Sequence, residues 1–133
     1  MRNSIILLFI FINSVLLAED NGIQFEQNVT WQQILDKAKK ENKFIFLDAY
    51  TSWCGPCKMM SNTEKTKKEV GDSINPFYIS VKFDMEKDEG LILGRKYHIQ
   101  NYPSFLFFDS NGNLVHQSIG YIPAHYFIEL CIK

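Results

Sequence analysis

The chain has 133 residues, 14 basic and 15 acidic side chains, a formal charge of −1 and a hydrophobic fraction of 46%. This length bounds it to one domain that can fold around its own core, and the near-neutral balance excludes the electrostatic footprint of a nucleic-acid binder. Three cysteines are too few for a disulfide-built scaffold.

Arg2 precedes an apolar run over residues 5–12, and Val15-Leu16-Leu17-Ala18 leads into Glu19-Asp20. A basic start, an apolar stretch and a small residue before charge describe a secretory signal peptide over residues 1–18, with cleavage after Ala18. Leu16 stands where cleavage prefers a small side chain, so an uncleaved anchor is the alternative. Either way residues 19–133 form an exported domain, periplasmic or secreted, that meets a membrane only through residues 1–18 if these are retained. No cysteine directly follows the apolar run to carry a lipid.

Residues 21–28 read as a polar leader. Thr30 and Gln33 fit a capping box, in which each side chain satisfies an orphan N–H of the other's backbone. Trp31, Ile34, Leu35 and Ala38 follow at helical spacing, so a core-facing helix starts there. Residues 44–50, Phe-Ile-Phe-Leu-Asp-Ala-Tyr, form a short aromatic and branched run expected to be a buried strand. Residues 65–69 are charged and read as a solvated face, and residues 70–76 as a turn-rich connection. Residues 77–84 have strand composition beside the first strand. Residues 85–97 read as a helix with acidic residues early and Arg95 and Lys96 late, which suits the helix dipole. Strand, helix, strand order implies a parallel pair. Two apolar runs at 104–109 and 114–119 flank Asn111-Gly112 and predict an antiparallel hairpin. Pro123 then opens a short final helix that carries Phe127, Leu130 and Cys131 on one face. There Cys131 reads as a buried, inert thiol, with intermolecular pairing as the alternative.

The chemistry concentrates in Trp53-Cys54-Gly55-Pro56-Cys57-Lys58, two thiols at the junction of a strand and a helix. Gly55 and Pro56 shape the junction: glycine accepts unusual backbone angles, and proline is tolerated in a first helical turn. Cys54 should cap the helix with Cys57 one turn in. Unpaired N–H groups and the helix dipole favour a thiolate at that point. Cys54 is therefore the expected nucleophile and Cys57 its resolving partner. A zinc site would need two further ligands, usually a second spaced pair, and His98, His116, His125 and Cys131 are scattered singly. No metal ligand set is assigned. A purely structural disulfide is the other bland alternative.

The sequence resembles the thioredoxin family, in particular exported bacterial thioredoxin-like proteins, from Thr30 to the C-terminus. The resemblance rests on residues 47–58, with their strand, tryptophan, dithiol and trailing lysine, and on residues 97–105, which are similar to the segment bearing the family's cis-proline. It implies an α/β, thioredoxin-like three-layer fold, with a central mixed β-sheet of about four to five strands flanked by helices. It also implies that Pro103 follows a cis bond, that Tyr102 offers backbone hydrogen bonds to a substrate chain, and that Trp53 and Gly120 border the substrate groove. Asp48 is assigned proton exchange with Cys57, and a carboxylate that loses hydration inside an apolar strand is disposed to that role. Lys82 matches a family lysine on the neighbouring strand that would couple to Asp48. Tyr102 before the proline, the charge at Lys65 to Lys68 and the early stop of the last helix depart from the commonest pattern.

These features together predict an exported thiol:disulfide oxidoreductase that reduces protein disulfides through a Cys54–Cys57 dithiol and a mixed disulfide. It would need no cofactor beyond that redox-active pair, would work as a monomer, and would be re-reduced by a membrane electron-donor protein. Gly-Pro between the cysteines resembles the reducing end of the family. Two rivals stand beside it: a Cu(I)-binding metallochaperone that uses the soft thiolates, and a redox-silent module that holds extended peptides.

Overall fold

The computed structural model describes residues 22–132; the signal peptide assigned to residues 1–18 lies outside them. In chain order the described elements are α1 (Trp31–Glu41), β1 (Phe44–Tyr50), α2 (Gly55–Asn62), α3 (Lys68–Ile74), β2 (Tyr78–Asp84), α4 (Asp88–Lys96), β3 (Ser104–Phe108), β4 (Leu114–Ile119) and α5 (Ala124–Ile132). The strands form one four-stranded mixed sheet in the order β2-β1-β3-β4. β1 runs parallel to β2 and antiparallel to β3, and β3 pairs antiparallel with β4.

Each strand sends alternate side chains to opposite faces, and both faces of the two central strands are apolar. Ile45, Leu47, Ala49, Leu106 and Phe108 meet Ile34 and Ala38 of α1 and Leu93 of α4. Phe46, Phe105 and Phe107 meet Met60 of α2, Val70 and Ile74 of α3 and Phe127 of α5. Helices thus cover the sheet on both sides, and the molecule has the three layers expected. The second face is an aromatic cluster in which Phe46 lies 5.8, 5.3 and 5.3 Å from the ring centres of Phe105, Phe107 and Phe127.

Local chemistry explains where the helices begin. Thr30 closes the capping box with Gln33, its hydroxyl accepting from the Gln33 N–H at 3.1 Å and its own N–H donating to the Gln33 side chain at 2.9 Å. The Trp31 N–H, another orphan of the same first turn, donates to the Glu89 carboxylate of α4 at 2.8 Å. The two helices on that face are therefore tied at their N-terminal ends.

One expectation needs correction. Residues 70–76 are not a turn-rich connection: α3 runs through Ile74, and burial of Val70 and Ile74 in the core, with Gly71 closed against the Gly22 backbone, overrides the poor helix propensity of Gly71 and Ser73. The hairpin forms as expected, with β3 ending at Phe108, one residue earlier than the apolar run, so the loop spans residues 109–113. The Asp109 carboxylate organises it by accepting from the N–H groups of Asn113 and Asn111, each at 2.9 Å, and those bonds hold its pKa below the usual carboxylate range. The polar leader before α1 is tied to the body of the fold. Ile23 donates its N–H to the Lys65 carbonyl at 2.9 Å, and the Asn75 side chain holds both the Gly22 carbonyl and the Gln24 N–H. Phe25 forms a bridge to Ser80 at the edge of β2. Gly22 has a φ of 91°, and a Cβ there would stand 2.3 Å from the Lys65 carbonyl, so only glycine fits the seam.

Candidate active site

After β1 the chain turns through Thr51 and Trp53 into α2. Cys54 is the N-cap residue, with extended backbone angles, and Gly55 and Pro56 fill the first turn. The Cys57 N–H donates to Cys54 Sγ at 3.1 Å, so sulfur occupies the place an oxygen takes in most helix caps. Cys54 and Cys57 are joined as a disulfide with their Cα atoms 5.3 Å apart. Cys54 Sγ thus sits at the N-terminus of α2, where negative charge on the sulfur would be met by the positive end of the helix. In the disulfide form both cysteines are covered, Cys54 at 3% and Cys57 at 4% exposure.

Trp53, by contrast, is 67% exposed. Its ring meets Tyr102 edge-on, 5.9 Å between centres at 89°, and its indole N–H donates to the Glu86 carboxylate. The Tyr102–Pro103 peptide bond is cis. Burial, with Glu86 and Asp84 nearby, pushes the Tyr102 hydroxyl above its ordinary pKa. Gly120, at a φ of 93°, donates its N–H to the Pro103 carbonyl at 2.8 Å. The structure therefore joins Trp53 to Tyr102 and Pro103 to Gly120, although 49 and 17 positions separate these pairs in the chain.

Asp48 lies on the face of β1 that looks toward α2, and it is 1% exposed. Opposite it in the parallel register stands Lys82, but this lysine is exposed, and its ammonium sits 5.4 Å over the Phe25 ring. The ammonium that pairs with Asp48 is that of Lys65, which contacts Asp48 Oδ2. The reading of residues 65–69 as a wholly solvated face is overturned at this position, because Lys65 is 5% exposed and its chain passes the Phe105 ring. Asp48 Oδ1 and the buried Thr51 hydroxyl have no hydrogen-bond partner among the described residues. Asp48, Cys57, Thr51, Tyr50 and Lys82 all line one cavity of about 260 Å³ that reaches Lys58 and Ser61. It has room for water between carboxylate and thiol.

Sequence reasoning missed three residues here. Lys65 and Glu64 sit in a charged run and turn inward, which no periodicity announces, and Glu86 precedes α4. Glu64 is 8% exposed and accepts from the Tyr121 hydroxyl at 2.8 Å, the Ala124 N–H at 2.7 Å and the Lys67 ammonium at 3.0 Å. Its carboxylate thereby holds the start of α5. Cys131 is a free thiol on α5 in an apolar setting that pushes its pKa up to about 12, which suits an inert residue. Among the described residues no group of three or more His, Cys, Asp or Glu side chains is placed to hold a metal ion, and no helix is long and apolar enough to cross a membrane.

Comparison with known proteins gives the same fold. Thioredoxin of Mycoplasmoides gallisepticum is 30% identical over 105 residues, 78% of this chain and 97% of that protein. Chloroplastic thioredoxin Y of Oryza sativa subsp. japonica is 31% identical over 101 residues, 75% of this chain. The match spans only 54% of the rice protein and 56% of the related Arabidopsis thaliana thioredoxin Y2, so the chain covers about half the length of those two. Among solved structures, a candidate disulphide-isomerase from Bacteroides thetaiotaomicron superposes with a TM-score of 0.75 at 34% identity, over 87% of this chain and 98% of that one. A thioredoxin from Thermus thermophilus superposes with a TM-score of 0.74 at 16% identity, over 84% and 85%, a likeness of fold. The family model for the thioredoxin-like domain matches residues 31–132, and with the capped dithiol, the cis-proline and the layered sheet in place the chain belongs to the thioredoxin-like family.

Proposed function

We propose that the protein is a thiol:disulfide oxidoreductase that reduces protein disulfides. The observation that carries this reading is the Cys54–Cys57 disulfide at the start of α2, with the Cys57 N–H on Cys54 Sγ. In the reduced protein Cys54 attacks a substrate disulfide as thiolate, one substrate sulfur leaves, and a mixed disulfide forms on Cys54. Cys57 then displaces the second substrate sulfur from Cys54, which closes the internal disulfide and releases the reduced product. The protein relatives named thioredoxin and the candidate disulphide-isomerase support this reaction class. The exposed Trp53, Tyr102 and the backbone around Pro103 supply a surface for an extended substrate chain.

Direction follows from potential. Gly55-Pro56 resembles the reducing end of the family, near about −270 mV, and a measured value above about −150 mV would reassign the protein as an oxidant. The basic and apolar pattern of residues 1–18 supports action outside the cytoplasm. There an exposed dithiol stays reduced only if a dedicated partner supplies electrons. We assign that supply to a membrane electron-donor protein, and the working form to a monomer.

The test is insulin reduction by the full chain with dithiothreitol as electron source. Wild type should turn over, Cys54→Ser should abolish turnover, and Cys57→Ser should accumulate a stable adduct on Cys54 visible by mass spectrometry. Turnover that survives Cys54→Ser would overturn the role of the dithiol, and a wild type that adds nothing to the dithiothreitol background would leave a module that only holds peptides.

A further inference from the structure

Resting on the oxidoreductase reading, we propose that Lys65 is a positioning residue for the resolving step: its ammonium holds one oxygen of Asp48 so that the other can take the proton of Cys57. A lysine is rarely buried without a partner, and this one is buried against a carboxylate that faces the same cavity as the resolving thiol. Its backbone is fixed from three directions. The Lys65 N–H donates to the Met60 carbonyl at the end of α2 at 2.9 Å, and its carbonyl accepts from Ile23 at 2.9 Å. The preceding Glu64 is held by Tyr121 and by Ala124 of α5. A side chain rooted in this way delivers its charge to one place, which is what a preorganised proton acceptor requires.

The groups that face Asp48 are few. The link between α2 and α3 brings Lys65, α2 brings Cys57 and Lys58, β2 brings Lys82 and β1 itself brings Tyr50. β3 contributes the uncharged Phe105. Among these, Lys65 is the cation in contact with the carboxylate, and it occupies Oδ2, while Oδ1 has no partner among the described residues. In the mixed disulfide the Cys57 thiol gives its proton to Asp48 Oδ1, directly or through a water in the cavity. The Cys57 sulfur then forms a bond to Cys54 Sγ, and the bond from Cys54 to the substrate sulfur breaks with its electron pair on the leaving sulfur. That sulfur takes up a proton, and two electrons have passed from the dithiol to the substrate disulfide.

The step is read by mixing reduced protein, in a Cys131→Ser background, with the aromatic disulfide 5,5′-dithiobis(2-nitrobenzoate) in a stopped-flow instrument. The first thionitrobenzoate released reports attack by Cys54, and the second reports ring closure by Cys57. Lys65→Gln should leave the first release unchanged and slow the second by about tenfold or more near neutral pH, and Lys65→Arg should restore it. The pH profile of the second release, but not of the first, should move in Lys65→Gln. A second release at the wild-type rate in Lys65→Gln overturns the proposal while wild-type turnover keeps the oxidoreductase reading. Equal slowing of both releases marks a merely structural lysine and overturns it too. No release from wild type removes both readings. Should Lys65→Gln fail to fold by near-UV circular dichroism, carbon-13 NMR of reduced wild type decides. The Lys65 Cε and Asp48 Cγ signals should follow the Cys57 titration, and a flat Lys65 Cε signal overturns the proposal.

Discussion

Glu64 and Lys65 are neighbours in sequence and opposites in use, one pinning α5 and the other reaching under the redox site. The Tyr121 hydroxyl, then the Lys67 and Ala124 contacts, work against desolvation to hold the Glu64 carboxyl below its usual pKa. A carboxylate depressed in the folded state stabilises fully above its unfolded value, near 4.5, and that contribution is lost as pH falls through the lower folded value. Urea midpoints followed from about pH 6 to about pH 3 should therefore drop less in Glu64→Gln than in wild type. An equal drop would remove the linkage. Asp48 was legible in the sequence because a carboxylate inside an apolar strand has few bland explanations. Its partner was not: the register points to Lys82, and only the path of the chain after α2 brings Lys65, 17 positions away, to the carboxylate. Charge runs give no sign of which member turns inward.

At the scale of elements, patterns with a short-range cause were readable. The capping box of α1, the apolar run of β1 and the dithiol helix start all come from neighbours within four residues, and each lies where the sequence puts it. α3 was missed because long-range burial rather than propensity makes it. Gly90 belongs to the same class. By propensity alone a glycine only weakens α4, yet in the structure a Cβ at this position would stand 1.8 Å from the Asp84 carbonyl where α4 meets the end of β2. Alanine would gain about 1 kcal/mol of helix propensity, but the backbone contact it meets costs about 1–3 kcal/mol or more. Gly90→Ala is thus expected to lower the urea midpoint without changing the slope, whereas Gly94, whose nearest neighbour is the Met85 sulfur at 3.7 Å, should accept alanine at little cost.

At the scale of the whole molecule, the order of elements implied a parallel strand pair and the family resemblance implied the layers, and the structure supplies the physical reason, since a sheet apolar on both faces must be covered twice. The site sits where β1 hands over to α2, and it draws on every later part of the chain: the link after α2, the turn before β3 and the residues after β4. What the sequence could not show is that the leader takes part as well. The seam from Gly22 to Phe25 braces the carbonyl of Lys65 and the edge of β2. A truncated protein cut at residue 30, just before the family match, would keep the capping box and the redox motif and yet lose that brace. It should melt earlier by the worth of two half-buried apolar side chains, about 2–3 kcal/mol, and its dithiol should close more slowly, because the lysine beneath it would be anchored at one end only.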